Sequence, residues 1–206
     1  VRPGTITVDL ARSVQPGVVE AINNEPVMLL ATRELTRAYG LDNVWAVHDD
    51  AARPPWPEAT VDFVDLHLVL QHVTDRGAVL AECRRVVDDR GIVAARDADS
   101  GTSSGALRIE TSTAGAVCDA AAWTAGGEPN AGRYLLWCAD EVGLSYSQAS
   151  ANVWLFITAK DHAWWGGSWA ERALQSGWAH ATLEAGTATV GELAASATPA
   201  SDDQKR

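Results

Sequence analysis

Hydrophobic and polar positions along the first hundred residues fall into two alternating rhythms. After Pro3-Gly4, apolar residues at Ile6, Val8, Leu10 and Ala11 predict a loop feeding a helix. A short apolar run from Val18 to Ile22 follows the punctuation of Gln15-Pro16-Gly17 and predicts a strand. Asn23-Asn24-Glu25-Pro26 then opens a helical stretch that runs to Gly40, with Pro26 in a first-turn position where a missing N–H costs nothing. The rhythm repeats. Val44 to His48 reads as a strand, residues 49–60 as a proline-rich loop, and Val61 to about Leu66 as a buried strand. The segment from Gly77 to Val87 has apolar residues three and four apart and reads as a helix, which hands over to a further strand in the run from Gly91 to Asp99. Strands alternating with helices predict an α/β fold with a mostly parallel sheet covered by helices on both faces.

Beyond Gly101 the pattern is built from smaller residues. Residues 107–123 are compatible with a helix, and residues 133–143 form a clearer one stopped by Gly143. Residues 144–150 and 152–158 read as two strands close enough to pair antiparallel. Residues 160–186 look helical and are rich in tryptophan, and the chain ends in a polar tail. The predicted organisation is an α/β domain over 1–160, a helical extension over 161–195 and a tail over 196–206.

Charge narrows the range of partners. Sixteen basic against twenty-seven acidic residues give a net charge of −11, which disfavours nucleic-acid binding because phosphate backbones require a concentrated positive surface. A neutral or cationic small molecule is the better partner. Cys83, Cys118 and Cys138 are far apart, with no metal-type spacing to histidine, so no metal site is expected and reduced, buried thiols in a cytoplasmic protein are. No apolar run long enough to span a bilayer is present in the sequence.

The stretches PGTIT, VVEAINNEP, HDDA, PPWPEATVDFVDLHLVLQHV, ECRRVVDDRGIVAARDAD and GGEPNAGR, taken in order, resemble class I S-adenosylmethionine-dependent methyltransferases, most closely the small-molecule group that includes the quinone-biosynthesis C-methyltransferases. The resemblance covers most of Val1 to Thr158 and implies a Rossmann-like sheet whose ligand lies beyond the carboxyl ends of the strands. It implies S-adenosylmethionine as cofactor and places Gly4 near its methionine end, where a side chain would intrude. Asn23 stands where the family carries an acidic residue that accepts the ribose hydroxyls. An amide lacks the charge that strengthens such a bond, so weakened affinity is expected, while Asn23 also reads as a plain turn residue before Pro26. Asp50 and Ala51 match the positions that meet the adenine amino group and a ring nitrogen, and a solvated acidic loop is the alternative. Leu66 and Gln71 fall with the cofactor. His67 and His72 are candidates for taking a proton from the substrate, or are structural histidines; His67 and Gln71, four apart, can share a helical face. Asp97 at a strand end is a candidate for orienting substrate. Trp164 and Trp165 offer an aromatic wall for a planar substrate or a core-packing face, and Trp56 either covers the adenine or seals a core edge.

The resemblance also has a gap. Of the family's three spaced glycines only the last has a counterpart, Gly4, and the family's first strand has none, so a truncated chain with an exposed sheet edge, open to homodimer pairing, is expected. Three functions follow: methyl transfer to a small-molecule acceptor, a non-catalytic relic that binds a partner, and a nicotinamide dehydrogenase. The last lacks the GxGxxG that a pyrophosphate needs.

Overall fold

The computed structural model describes residues 3–102, 123, 126–145, 147–153, 158, 160, 161 and 164. They fall into two compact units, each assembled from separate segments. The first comprises Val1–His67, Asp75–Arg96 and Trp137–Ser145, the second Leu68–Thr74, Asp97–Leu136 and Tyr146–Arg206.

In the first unit, helix α1 (Thr5–Ser13) starts from Gly4, whose φ of 85° lies in the left-handed region. A second constraint acts at the same residue. A Cβ on Gly4 would lie 2.9 Å from the Thr32 Cα, so only glycine lets α1 begin this close to helix α2 (Pro26–Ala38). α2 accommodates the approach with two small buried residues, Thr32 and Thr36, whose hydroxyls bond back to the carbonyls of Met28 and Arg33 at 2.9 and 3.1 Å. Strand β1 (Val19–Asn23) pairs in parallel with β2 (Val44–His48), in a register running from Val19 opposite Val44 to Asn23 opposite His48. The Asn43 amide donates to the carbonyls of Ala11 and Gly17, both at 2.8 Å, and so fastens the end of α1 to the entry of the strand pair.

Strand β3 (Val61–His67) pairs in parallel with β4 (Val87–Arg96). After Val61 opposite Val87 the register slips until Phe63 faces Ile92, and the extra residues of β4 include Gly91, where a Cβ would lie 2.8 Å from the Asp62 carbonyl oxygen. Helix α3 (Arg76–Val86) is capped by Asp75, which accepts from the Ala78 N–H at 2.8 Å. Its buried residues Val79, Leu80, Cys83 and Val86 make one apolar stripe. Helix α4 (Leu135–Glu141) buries Cys138 and ends at Gly143, φ 73°, whose carbonyl accepts from Arg84 of α3 at 3.3 Å.

The described part of the second unit is a tied set of turns. A 3₁₀ turn, Leu70–His72, and another, Ala131–Tyr134, bury Leu70 and Ala131. The Gln71 carbonyl accepts from the Glu128 N–H at 2.9 Å, the Asn130 side chain accepts from Gly101 N–H at 2.6 Å, and Arg133 pairs with Asp99. Thr158 and Asp161 form a reciprocal capping box at a helix start that includes Lys160, Asp161 and Trp164.

The α/β fold with parallel strands and intervening helices is as the sequence predicts. The antiparallel strand is absent among the described residues: 144, 145 and 147–153 carry no strand. Residues 154–157, most of the predicted helix over 107–123 and most of the tryptophan-rich segment lie outside the described residues.

Candidate functional site

In the first unit the carboxyl ends of three strands carry polar residues. At the end of β1, the Asn23 Oδ1 accepts from the Glu25 N–H at 2.8 Å, a turn that stops the strand and starts α2. The oxygen that the sequence assigned to a ribose is thus shared with a backbone amide. At the end of β2, His48 Nε2 lies 3.1 Å from the Asn24 carbonyl. Asp50 Oδ1 accepts from the Ala52 N–H at 2.9 Å, and Arg53 N–H returns to the Asp50 carbonyl at 2.9 Å, so residues 50–53 form a turn around this carboxylate. Asp50 is exposed, and Ala51 half-buried.

At the end of β3, Leu66 is buried at 6% exposure, while Asp65 and His67 on the opposite face are half-buried. Burial pushes the Asp65 carboxyl up from the ordinary range, opposed by the charge of His67. The expected helical face shared by His67 and Gln71 does not form. His67 is the last residue of a strand, Leu68 follows it with φ 55°, and Gln71 lies in a 3₁₀ turn. A left-handed non-glycine residue costs roughly 1–3 kcal/mol and gives no signal in hydrophobic periodicity, which is why the turn is invisible in the sequence.

In the second unit, both oxygens of Asp97 are engaged by the backbone: Oδ2 accepts from Leu70 N–H at 3.0 Å and Oδ1 from Gln71 N–H at 3.2 Å. Burial nevertheless pushes its carboxyl up to about 6, these amides opposing the rise. Asp97 therefore holds the turn that carries Gln71 and His72. The Gln71 amide reaches the His72 ring at 3.1 Å, and desolvation holds the His72 imidazole below the ordinary histidine range although more than a third of the residue is exposed. Trp164 is helical and 53% exposed, and Trp165 lies outside the described residues. Trp56 is half-buried, with its carbonyl 2.9 Å from Arg85.

Two contributors were missed in the sequence. Arg85 donates to the carbonyls of Pro54 and Trp56 while paired with Glu82 three residues earlier, and so clamps the loop after β2. The Glu82–Arg85 spacing is a visible helical pair; its reach to residues 54 and 56 is not. Asp65 was read as a strand residue, although its period-two spacing with Val61, Phe63 and His67 sets it on their face, which is itself a signal.

Residues 2–95 match the methyltransferase domain family. Over this segment the chain is similar to methyltransferases, and its fold is that of S-adenosylmethionine-dependent members. The chain is 34% identical over 87 residues to a demethylmenaquinone methyltransferase of Geobacillus stearothermophilus, covering 42% of this chain and 37% of that protein. It is 27% identical over 182 residues to an uncharacterized methyltransferase of Schizosaccharomyces pombe, covering 84% of this chain and 66% of the relative. The chain thus spans well under half the length of the bacterial relative. A S-adenosylmethionine-dependent methyltransferase from Aquifex aeolicus shares the fold at TM-score 0.52 and 19% identity over 69% of this chain and 67% of that one. The YcgJ protein of Bacillus subtilis does so at TM-score 0.60 and 13% identity over 98% and 75%.

Proposed function

We propose that the chain transfers a methyl group from S-adenosylmethionine to a small-molecule acceptor of the reduced-quinone type. The methyltransferase domain match over residues 2–95 carries this reading, and the likeness to demethylmenaquinone methyltransferases supports the acceptor class.

The donor set fits the cofactor, with one weakened contact. Asp50 keeps a carboxylate oxygen beyond the one that accepts from Ala52, which suits an adenine amino group. Asn23 keeps its amide N–H donors for a ribose hydroxyl but not a charge. When bound, S-adenosylmethionine supplies an electrophilic methyl group on a sulfonium. The chain's own residues do the rest: Gly4 shapes the start of α1, Asn23 and Asp50 orient the nucleoside, and Asp97 fixes the turn bearing Gln71 and His72. His67 and His72 are the candidates for accepting a proton from the acceptor, Asp97, Trp164 and Trp165 those for binding it, and Ala51, Leu66 and Gln71 those for binding the cofactor.

The test is calorimetry with S-adenosylhomocysteine on the native chain and Asn23→Asp. An aspartate keeps the bond to Glu25 N–H and adds a charged acceptor, so affinity should tighten about fivefold, the equivalent of about 1 kcal/mol. Equal affinity in both forms would remove Asn23 from the ribose, and no binding in either would remove the cofactor.

A further inference from the structure

Gln71 is held at each of its polar groups. Its N–H donates to Asp97 Oδ1 at 3.2 Å, beside the Leu70 N–H that donates to Oδ2 at 3.0 Å, and its carbonyl accepts from the Glu128 N–H at 2.9 Å. Leu70, fully buried, anchors the same 3₁₀ turn. Just past the turn, Gly126 packs on Thr74 so closely that a Cβ would stand 2.9 Å from the Thr74 Oγ1. The backbone around residues 70–74 is thus fixed by Asp97, Gly126 and Glu128, and the Gln71 side chain starts from a set place. Its Nε2 lies 3.1 Å from the Nε2 of His72. An amide nitrogen can only donate a hydrogen bond, and a protonated ring nitrogen can only donate too. Two nitrogens at this separation therefore bond only if His72 Nε2 is the acceptor, which places the one proton of the neutral ring on Nδ1.

We propose that Gln71 is a positioning residue for His72: its amide fixes the imidazole as the neutral tautomer protonated at Nδ1, so that His72 meets an oxygen of the methyl acceptor as a hydrogen-bond donor and takes up no proton from it. This rests on the methyl-transfer reading above, and of the two histidine candidates for proton uptake it leaves His67. To accept a proton at Nε2, the ring would have to give up the Gln71 bond and set two N–H groups against each other. Desolvation, which holds the His72 imidazole below the ordinary histidine range, acts in the same sense. Among the described residues, the charged groups of the segments packed on this turn have partners of their own. Asp97 holds the Leu70 and Gln71 amides, Glu128 Oε1 accepts from the Asn130 N–H at 3.0 Å, and Arg133, on the turn with the exposed Tyr134, is paired with Asp99. A neutral donor orients the acceptor's oxygen, and stabilises it once ionised, without competing for its proton.

The experiment reads the ring nitrogens of His72 by nitrogen NMR at pH 7.5 in the native chain, in Gln71→Glu and in Gln71→Leu, with His72→Gln to assign the signals. In the native chain Nε2 should give the signal of an unprotonated nitrogen and Nδ1 that of an N–H. Gln71→Glu turns the donor into an acceptor of almost the same size, so the proton should move to Nε2 and the ring should bind a second proton about tenfold more tightly or better. Gln71→Leu should leave both tautomers populated. A native ring protonated at Nε2, with Gln71 turning its carbonyl toward it, overturns the proposal, as does a tautomer unchanged in both variants. Methyl transfer to demethylmenaquinol reads the ring's part in the reaction. His72→Gln, which keeps a donor and cannot take up a proton, should retain about a tenth of the native kcat or more, and His72→Ala should lose about a hundredfold. Equal losses in the two overturn the donor role. A native chain that methylates no demethylmenaquinol overturns the acceptor reading and the ring's part in it, while the nitrogen signals decide the tautomer with no acceptor present. Gln71→Glu should melt close to the native chain, which separates these effects from unfolding.

Discussion

At the residue scale, Gly4 is held by conformation and by space at once. Its φ of 85° penalises any side chain, and the Thr32 Cα 2.9 Å from the place of a Cβ is backbone and cannot turn aside. Gly4→Ala should therefore destabilise the chain by about 2–3 kcal/mol in urea unfolding, whether or not cofactor is added. Its place before a helix could be read in the sequence; its contact with Thr32, twenty-eight positions on, could not. Cys83 shows the reverse. Its burial on the apolar stripe of α3 follows from helical spacing, and burial with Glu82 beside it pushes the thiol up to about 12. Ellman's reagent at pH 8 should leave Cys83 unmodified until the chain unfolds.

Among the elements, strands and helices flanked by clear punctuation were legible. β2 spans Val44–His48 as its apolar run requires, and α2 starts at Pro26. β1 and β3 each extend one residue further than expected, to Asn23 and His67, because hydrogen bonding continues past the last apolar side chain. Loops were less legible since their structure depends on distant partners. The loop after β2 is held by Arg85, which reaches the Pro54 and Trp56 carbonyls with the same guanidinium that pairs with Glu82. Arg85→Ala should raise amide exchange at Ala52 and Arg53 by about tenfold, with Val64 and Leu66 unchanged. Lysine should not restore protection, since an ammonium lacks the fork that serves three acceptors together.

At the scale of the molecule, two carboxyl groups among the described residues, Asp65 and Asp97, are raised by burial, which inverts the usual acid response. Asp97 titrates near 6 in the folded chain and near 3.8 when unfolded. The native state then holds the proton more tightly, so this contribution to stability is fully present below pH 3.8 and is lost as pH rises through 6, by up to about 3 kcal/mol before allowance for partial exposure. Asp65 acts in the same direction. His72, lowered, acts oppositely, its contribution falling away as pH drops below the ordinary histidine value of 6.5, but its exposure keeps the effect small. Urea midpoints should be higher at pH 5 than at pH 7.5, and Asp97→Asn should flatten the difference.

The segments of the two units alternate along the chain, which passes from one to the other five times. Residues 2–95, the stretch that matches the methyltransferase domain, are thus not a physical part that can be cut out. They omit Trp137–Ser145, and with it the buried Cys138 and the Gly143 carbonyl bound by Arg84. A gene fragment encoding residues 1–96 should yield insoluble or molten material, and adding residues 131–145 as a separate peptide should recover part of its fold. For protein engineering, tags and split points belong at the chain ends, because a break at any interior boundary divides at least one unit, and a break after Thr74, Arg96 or Leu136 divides both.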